Sequence, residues 1–286
     1  MEPMLRLAVQ KSGRLSEGSM KLIKECGVSV SNGIGKLKAT ASNFPIEFLF
    51  LRDDDIPGYV ADGIADIGIV GENEVAEKQK DVSIRHRLGF SKCRLSIAIP
   101  KSETYNGVQD LEGKSIATSY PNILEDYLSE NNIKTDIHEI SGSVEIAPSI
   151  GLAEAICDLV SSGSTLFTNG LKEAEVIFRS EAVMIAPPTL SPEKEDLFQK
   201  LLFRIKSVQK AKNFKYILLN TPREAVDKII SILPGMRSPT LVPLATEGWV
   251  SMHSVIDEND FWDKIEELKA AGAEGILVVP IEKMIL

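Results

Sequence analysis

The sequence predicts an α/β fold that ends in a domain of ferredoxin-like βαββαβ order. Short runs of β-branched and aliphatic residues alternate with stretches whose apolar residues recur at helical spacing, which is typical of crossover connections. Residues 213–286 carry four strand patterns and two helix patterns in the order βαββαβ. The length of 286 residues allows two or three domains at roughly 100–200 residues per domain.

The first 209 residues alternate between strand and helix patterns. The predicted strands are 5–9, 46–51, 66–71, 95–100, 113–118, 134–140, 155–160 and the extended segment 175–185. The predicted helices are 15–26, 56–64, 121–128, one from about residue 144, a short one after 165, and 191–208. Gly27 is placed to end the first helix, Pro121 to begin the third and Ser191 to cap the last.

The C-terminal part is separate in character, and Lys210–Asn213 is its natural linker. The predicted strands are 216–220, 240–245, 249–256 and 276–281, and the predicted helices are 222–233 and 259–271. Trp249 and Trp262 are interpreted as core residues, since no basic residues are interleaved with the aromatic ones.

Charge and composition exclude several classes of protein. Lys and Arg number 32 and Asp and Glu 41, for a net charge of −9, so a nucleic-acid or membrane-surface partner is not expected. No apolar run is long enough for a transmembrane helix, and the N-terminus lacks a signal-peptide core, so the cytoplasm is expected. The cysteines (26, 93, 157) and histidines (86, 138, 253) are scattered, so no local metal site or triad is predicted.

The segment Cys157–Thr165 is the most informative stretch. Asp158 lies late in a buried strand, and Ser161, Ser162, Gly163, Ser164 and Thr165 follow it before a helix begins. Small residues, hydroxyls and a helix N-terminus can hold a terminal phosphate, and the carboxylate beside them can accept from two ribose hydroxyls. The alternative is a Ser/Gly turn that only caps the helix.

Charged residues follow other predicted strands. Lys11, Arg14 and Arg52 come just after strand ends, where open α/β sheets bind ligands, so they are candidates for a pyrophosphate or triphosphate. Ordinary solvated cations are the alternative. Asp53 and Asp54 could bind Mg²⁺ or form a solvated acidic turn, and Asp55 is predicted to cap the next helix.

Two further small-residue segments are candidates for the walls of a cleft. Gly68 and Gly71 indicate close approach, either of a ligand or of a packed helix. The run Ser141–Glu145 is another small-residue helix start, which we expect to face them.

Taken together, these segments resemble one family, the long, self-regulated form of ATP phosphoribosyltransferase. The matching segments are LRLAVQKSGRLSEGSMKLIKECGV, FLRDDDIPGYVADGIADIGIVGENEV, GFSKCRLSIAIP, GKSIATSYPNILEDYL, GSVEIAPSIGLAEAICDLVSSGSTLFTNGL, LPGMRSPTLVPLA and GILVVPIEKM. The resemblance spans essentially the whole chain.

The resemblance implies a reaction and a fold. N1 of the adenine of ATP would attack C1 of 5-phosphoribosyl 1-pyrophosphate with Mg²⁺ required, in the first step of histidine biosynthesis. The catalytic half would resemble type II periplasmic binding proteins, with two lobes around a cleft and chain crossings near Pro100 and residue 180. The expected domains are 1–99 plus 180–209, 100–179, and an ACT-like regulatory domain at 213–286.

The resemblance also implies roles for individual residues. Asp158 and Ser161–Thr165 would bind the phosphoribosyl group. The expected catalytic residues are Lys11, Arg14, Arg52 and Asp158, and the expected ATP and cleft residues are Lys11, Arg14, Asp53, Asp54, Gly71 and Glu145. The resemblance does not identify the Mg²⁺ ligands.

The C-terminal domain would bind L-histidine as a feedback inhibitor. Asn220, Met236 and Thr240 are the candidates near it, and Asn220 stands where some relatives have an acidic residue. The family implies a homo-oligomer, from dimer to hexamer, and no separate regulatory subunit. The alternatives are a cytoplasmic binding protein without turnover and a transferase for another nucleobase.

Overall fold

The structure is a computed structural model that describes residues 3–30, 37–233, 235–236 and 238–285. Pro234, which belongs to the resembling segment LPGMRSPTLVPLA, lies outside these residues, as does Arg237. The chain forms two compact units. The first comprises Met1–Lys24 and Val28–Phe198, and the second Glu25–Gly27 and Gln199–Leu286. No helix in the described ranges is long and apolar enough to span a membrane.

Among the described residues, the first unit contains eleven strands and five helices, of which α1 ends one residue beyond its border. The strands are β1 Leu5–Gln10, β2 Lys38–Thr40, β3 Ile46–Leu51, β4 Ile67–Gly71, β5 Ser83–Arg87, β6 Cys93–Pro100, β7 Ser115–Thr118, β8 Asp136–Glu139, β9 Ala155–Val160, β10 Leu171–Ser180 and β11 Ala182–Ala186. The helices are α1 Arg14–Glu25, α2 Ile56–Ala61, α3 Glu72–Lys78, α4 Pro121–Glu130 and α5 Ser164–Thr168.

These strands form two sheets, which define two lobes of the first unit. Lobe I is built on a six-stranded sheet in the order β2-β3-β1-β4-β11-β5, and lobe II on a five-stranded sheet in the order β10-β6-β9-β7-β8. The parallel strands β3, β1 and β4 of lobe I and the parallel pair β9 and β7 of lobe II each bring their carboxyl ends to one edge. Ligands bind at such edges in open α/β sheets.

The first crossing between the lobes differs from the prediction near Pro100. β6 pairs with β10 and β9 over its length, so the chain has left the six-stranded sheet before Cys93. The return lies between Ser180, where β10 ends, and Ala182, where β11 begins. The alternation of apolar residues over 95–100 predicts a strand, but it carries no information on which sheet that strand joins.

Other elements also differ from the predictions. The helix expected from about residue 144 is two 3₁₀ turns, Val144–Ile146 and Pro148–Ile150, since a proline and then the left-handed Gly151 interrupt it. The helix of 56–64 ends at Ala61, and Ile64 is exposed. β2, β5 and α3 were not predicted, because they are short or polar and carry little periodicity.

The long helix α6 Pro192–Lys212 occupies most of the predicted linker. Ser191 caps its start as predicted, with the Lys194 backbone N–H 3.4 Å from Ser191 Oγ. Lys210–Lys212 form its last turn, so only Asn213 of the predicted linker separates it from the following strand.

The C-terminal part has the predicted βαββαβ order. Its elements are β12 Phe214–Pro222, α7 Val226–Ile232, β13 Thr240–Pro243, β14 Trp249–Asp257, α8 Glu258–Ala270 and β15 Glu274–Pro280. The sheet order β13-β14-β12-β15 is antiparallel throughout, as in ferredoxin-like folds. The core under the helices includes Ile217, Met252 and Leu268. Trp262, by contrast, is 70% exposed, so the prediction that it belongs to the core was wrong.

Gly68 is required by packing within lobe I. A Cβ on Gly68 would lie 2.7 Å from Cγ2 of Ile56 and 3.2 Å from Cγ2 of Val60, both on α2. Helix packing, one of the two predicted alternatives, therefore accounts for this glycine.

We expect Gly68→Ala to lower the free energy of unfolding by about 1–3 kcal/mol, because the added methyl overpacks the space between β4 and α2. Gly58→Ala is the matched control. Gly58 lies in α2, and a methyl group added there would have no atom within 4 Å, so alanine should be neutral or stabilise by up to about 1 kcal/mol. Urea unfolding followed by circular dichroism measures both, and equal effects would contradict the packing argument.

Candidate functional site

A cleft of about 290 Å³ lies where the two lobes of the first unit face each other. Lobe I contributes residues at or after the ends of β1, β3 and β4, namely Arg14, Leu15, Asp53, Gly71, Asn73 and Glu74. The chain crossings and the end of β9 contribute Ser91, Lys92, Cys93, Leu159, Ser161 and Ser180. The cleft therefore collects residues from strand ends, as the sequence predicts for Arg14 and Asp53.

The predicted phosphate loop lies at the edge of this cleft. Gly163 has a φ of +79°, a conformation that favours glycine, and it directly precedes α5. Ser161, Ser162, Ser164 and Thr165 are exposed, and Ser162 Oγ lies 3.0 Å from Ser164 Oγ. The loop thus presents several hydroxyl groups to solvent around a tight turn.

Two arginines donate hydrogen bonds to Ser161, the first residue of this loop. Arg14 Nη1 donates to Ser161 Oγ at 3.3 Å, which joins the start of α1 in lobe I to the loop in lobe II. Arg94 Nη1 donates to the Ser161 backbone carbonyl at 3.2 Å, and Arg94 is itself paired with Glu173. Arg94 was not predicted, because within a strand pattern it has the sequence signal of any solvated arginine.

Asp158 lies beside the loop in a partly buried position. Burial raises the pKa of its carboxyl, the Leu159 backbone N–H at 2.7 Å lowers it, and the charge of Glu145 raises it further. Glu145 is therefore close enough to Asp158 for their charges to interact. The structure brings these two predicted residues together.

Of the predicted site residues, the cleft lining does not include Lys11, Arg52, Asp54, Glu145, Asp158 or residues 162–165. Arg52 Nε lies 3.1 Å from Asp54 Oδ1, and the Arg52 side chain is 77% exposed. Lys11 is exposed just beyond β1. Asp53 turns the other way, into the cleft, where Gln10 Nε2 donates to its Oδ2 at 3.0 Å.

The structure gives Asp55 and Gly71 local roles that differ from, or add to, those predicted. Asp55 makes no side-chain cap to α2; it belongs to a 3₁₀ turn, Asp53–Asp55. At Gly71, a Cβ would lie 2.4 Å from Asn73 Oδ1, so the glycine leaves room for the Asn73 amide. Contact between Gly71 and a ligand stays a prediction.

A buried polar network that the sequence did not indicate forms the floor of the cleft. The Asn73 backbone N–H donates to Ser180 Oγ at 3.1 Å, and Ser180 Oγ donates to Asn73 Oδ1 at 2.8 Å. Asn73 Nδ2 donates to Glu74 Oε1 at 2.9 Å, and the Tyr120 hydroxyl donates to the same oxygen at 3.2 Å. The network runs from the crossing at Ser180 through α3 to lobe II.

Glu77 makes a second connection between the lobes, one turn along α3. Its Oε1 accepts the Asn122 backbone N–H and its Oε2 the Ile123 backbone N–H, each at 3.1 Å. Asn122 Nδ2 donates to the Glu77 carbonyl at 2.9 Å. Glu77 therefore caps α4 from the other lobe, satisfying amides that have no acceptor within the helix.

Glu74 titrates near neutral pH. It is 6% exposed, and burial raises its pKa to about 7, with the charge of Asp53 adding to the rise. Burial, followed by the charge of Glu74, also raises the pKa of Tyr120. Sequence periodicity gives no signal for a buried carboxyl in a short polar helix.

The cysteines are poor nucleophiles here. Burial raises the pKa of Cys26 to about 11, and it also raises the pKa of Cys93 and Cys157. Within the described residues, no group of three or more His, Cys, Asp or Glu side chains is arranged to hold a metal ion.

Two of the three candidate regulatory residues lie in the C-terminal sheet. Asn220 on β12 is opposite Ser251, and Thr240 on β13 is opposite His253. His253 Nε2 lies 3.1 Å from Ser251 Oγ, and its Nδ1 lies 3.1 Å from the Tyr216 hydroxyl. Asn220 and Thr240 therefore flank one polar cluster, while Met236 is 51% exposed before β13.

We expect Glu74→Gln to change how stability depends on pH. The Glu74 pKa rises from 4.5 to about 7 on folding, so its protonation stabilises the native state below pH 4.5, and this stabilisation is lost as pH rises through 7. The variant should therefore gain stability relative to the unmodified chain between pH 5 and pH 8, by up to roughly 3 kcal/mol. Unfolding at each pH measures this, with exposed Glu130→Gln as the control; a pH-independent difference would contradict it.

The sequence matches one known protein family over most of its length. The family described as "HisG: ATP phosphoribosyltransferase" matches residues 52–207, and "HisG, C-terminal domain" matches residues 211–283. ATP phosphoribosyltransferase of Cytophaga hutchinsonii is 63% identical, over 100% of both chains. That of Phocaeicola vulgatus is 58% identical, over 99% of this chain and 100% of its own.

Solved structures support the fold. The ATP phosphoribosyl transferase (HisG:HisZ) complex from Thermotoga maritima has a chain 29% identical to this one, with a TM-score of 0.61 over 71% of this chain and 99% of its own. A putative periplasmic sulfonate-binding protein from Methylobacillus flagellatus shares the fold, with a TM-score of 0.51 at 16% identity over 74% of this chain and 69% of its own. The predicted likeness to periplasmic binding proteins is thereby confirmed. With both family segments present, the chain belongs to the long form of the ATP phosphoribosyltransferase family, HisG, and is a pentosyltransferase.

Proposed function

We propose that the cleft transfers the phosphoribosyl group of 5-phosphoribosyl 1-pyrophosphate to N1 of ATP. The products are 1-(5-phosphoribosyl)-ATP and pyrophosphate, in the first step of histidine biosynthesis. The observation that carries the proposal is the bond from Arg14 to Ser161, which places a cation of lobe I at the phosphate loop of lobe II. Family membership supplies the reaction class.

The phosphoribosyl group would bind at the loop. The hydroxyls of Ser161, Ser162, Ser164 and Thr165 and the amides around Gly163 would hold the 5-phosphate, and Asp158 would accept from the ribose hydroxyls. The C1–O bond to pyrophosphate breaks as N1 of adenine approaches, so positive charge develops on the sugar. Asp158, with the charge of Glu145 acting on it, would stabilise that positive charge, and no covalent nucleophile is needed.

Mg²⁺ fits this site as an ion that arrives with the substrates. Mg²⁺ commonly keeps several waters and is held by one or two carboxylates together with substrate phosphates. Asp53 in the cleft and Asp54 beside it could supply such carboxylates, and the described residues form no complete cage of their own. The ion would neutralise the departing pyrophosphate.

Lys11, Arg14 and Arg52 are proposed to bind the phosphates of ATP or pyrophosphate. For this role, the Arg52 guanidinium would have to leave the Asp54 carboxylate and bind a phosphate instead. The proposed domains are 1–92 plus 180–209, 93–179 and 213–286, because β6 moves the first boundary from residue 100 to residue 93. The proposal also retains the cytoplasmic location expected from the sequence.

The C-terminal domain is proposed to bind L-histidine near Asn220, Met236 and Thr240. The Thermotoga maritima protein is described as a complex of HisG with HisZ, and its matched chain aligns with 71% of this one. Because this chain carries the HisG C-terminal domain, we propose that it acts without a separate regulatory subunit, as a homo-oligomer between dimer and hexamer.

The activity is tested with purified full-length protein, ATP, 5-phosphoribosyl 1-pyrophosphate and Mg²⁺, followed by absorbance with pyrophosphatase present. We expect Asp158→Ala and Gly163→Val to lower kcat/KM by roughly 10²-fold or more, since each removes contacts to the developing charge or distorts the loop. Asp126→Asn, on the exposed face of α4, is the control. Because burial disfavours the Asp158 charge, Asp158→Ala should remain folded. An active Asp158→Ala variant would refute this role.

Inhibition by L-histidine is a separate test. We expect Asn220→Asp to tighten inhibition by roughly tenfold, because an acidic group would pair with the ammonium group of the inhibitor. Thr240→Val should weaken it, and Thr246→Val, exposed in the turn after β13, should not. The concentration for half-inhibition is measured at fixed substrate concentrations. Unchanged inhibition in both Asn220→Asp and Thr240→Val would place the inhibitor elsewhere.

A further inference from the structure

A second cavity of about 210 Å³ adjoins the cleft within the first unit. The two share Lys92, Cys93 and Ser180 as lining residues, so they are neighbouring parts of one depression along the chain crossings. The additional lining residues are Glu72, Arg87, Arg179 and Glu181. None of these four was singled out by the sequence or used in the proposed reaction.

The acidic residues of this second cavity are paired with an arginine of the same cavity. The Arg87 guanidinium forms two hydrogen bonds with the Glu72 carboxylate, and Arg87 Nη1 lies 3.7 Å from Glu181 Oε1. One arginine therefore serves both carboxylates. Arg87 offsets one of the two negative charges, and Lys92 and Arg179 bring the formal charge of the charged lining residues to +1.

Lys92 and Arg179 lie close together because of the strand pairing. β10 and β6 are antiparallel, with Ser180 opposite Cys93 and Arg179 opposite Arg94. Lys92 directly precedes Cys93, so the two cations enter the cavity from neighbouring strands. Among the residues that the structure describes, neither forms an ion pair within 4.0 Å.

The positive charge continues from this cavity into the cleft. Arg14 is near enough to Cys93 for its charge to lower the pKa of that thiol against the effect of burial. Arg14 also reaches Ser161 of the phosphate loop. Three cations thus follow one path, from the loop past Cys93 to Arg179. Charges of one sign along such a path favour an extended anion.

We propose that Lys92 and Arg179 form a polyphosphate subsite, which takes a chain of linked phosphates from a substrate bound in the cleft. Two sources have this chemistry, the triphosphate of ATP and the pyrophosphate of 5-phosphoribosyl 1-pyrophosphate. The inference rests on the proposed function for these two ligands, but the subsite itself requires only a polyphosphate. Guanidinium groups hold phosphate oxygens in a bidentate manner, and lysine acts as a point charge.

The test is direct binding to the full-length protein by calorimetry, with inorganic tripolyphosphate, ATP, AMP and 5-phosphoribosyl 1-pyrophosphate as separate probes. We expect Lys92→Met and Arg179→Gln each to weaken tripolyphosphate binding by roughly tenfold or more, as for loss of a charge-assisted contact. AMP affinity should be unchanged. Both side chains are exposed, so the fold should tolerate either change, and Lys92→Arg should restore binding.

Lys80→Met is the matched control, because Lys80 is an exposed lysine that lines neither cavity. A loss confined to ATP identifies the triphosphate as the occupant, and a loss confined to 5-phosphoribosyl 1-pyrophosphate identifies its pyrophosphate. Unchanged tripolyphosphate binding in both variants, or an equal loss for AMP, would overturn the subsite. Failure of the proposed function would show instead as absent turnover in the unmodified chain, whatever its affinity for tripolyphosphate.

Discussion

The geometry of the cleft depends on a carboxylate of one lobe that caps a helix of the other. Glu77 on α3 is 4% exposed, and both of its oxygens accept backbone amides at the start of α4. Removing a buried acceptor would leave those amides unsatisfied, which costs about 1–3 kcal/mol for each unpaired group. α3 follows β4 directly, so this contact fixes where α4 begins relative to the strand ends of lobe I. Tyr120, at that beginning, is thereby placed over Glu74.

The short helix α3 also carries residues that determine the charge of the site. Its first turn reaches Ser180 at the crossing through Asn73, and its Glu74 shares the cleft with Asp53. A cleft with these carboxylates, and with Asp158 nearby, repels polyanionic substrates unless cations offset it. Such cations stand at the rim, where Arg14 holds the phosphate loop. Under the proposed function, this acidic protein would bind its phosphorylated substrates through a local basic path together with a divalent ion.

The parts of the fold that could be predicted are those with strong periodicity. β3 and β9 have the predicted bounds, and the C-terminal βαββαβ order was confirmed, because burial on one or both faces leaves a regular apolar pattern. α3 could not be predicted, since its Glu74 and Glu77 look like solvated glutamates in a polar segment. Their burial depends on partners 45 and 46 residues away, which no local pattern reveals.

The contacts of the charged residues are likewise either local in the sequence or made across a long stretch of chain. Arg52 and Asp54 lie two positions apart and form an exposed pair, whereas Arg14 meets Ser161 across 147 positions. An exposed ion pair is worth about 0–1 kcal/mol, so Asp54 can be exchanged for a phosphate at little cost. The observed pairing of Arg52 is therefore compatible with its proposed role. By contrast, Arg14 reaches the loop only because the chain folds. This contact distinguishes a cation of the cleft from a solvated one, whereas the density of charge along the sequence does not.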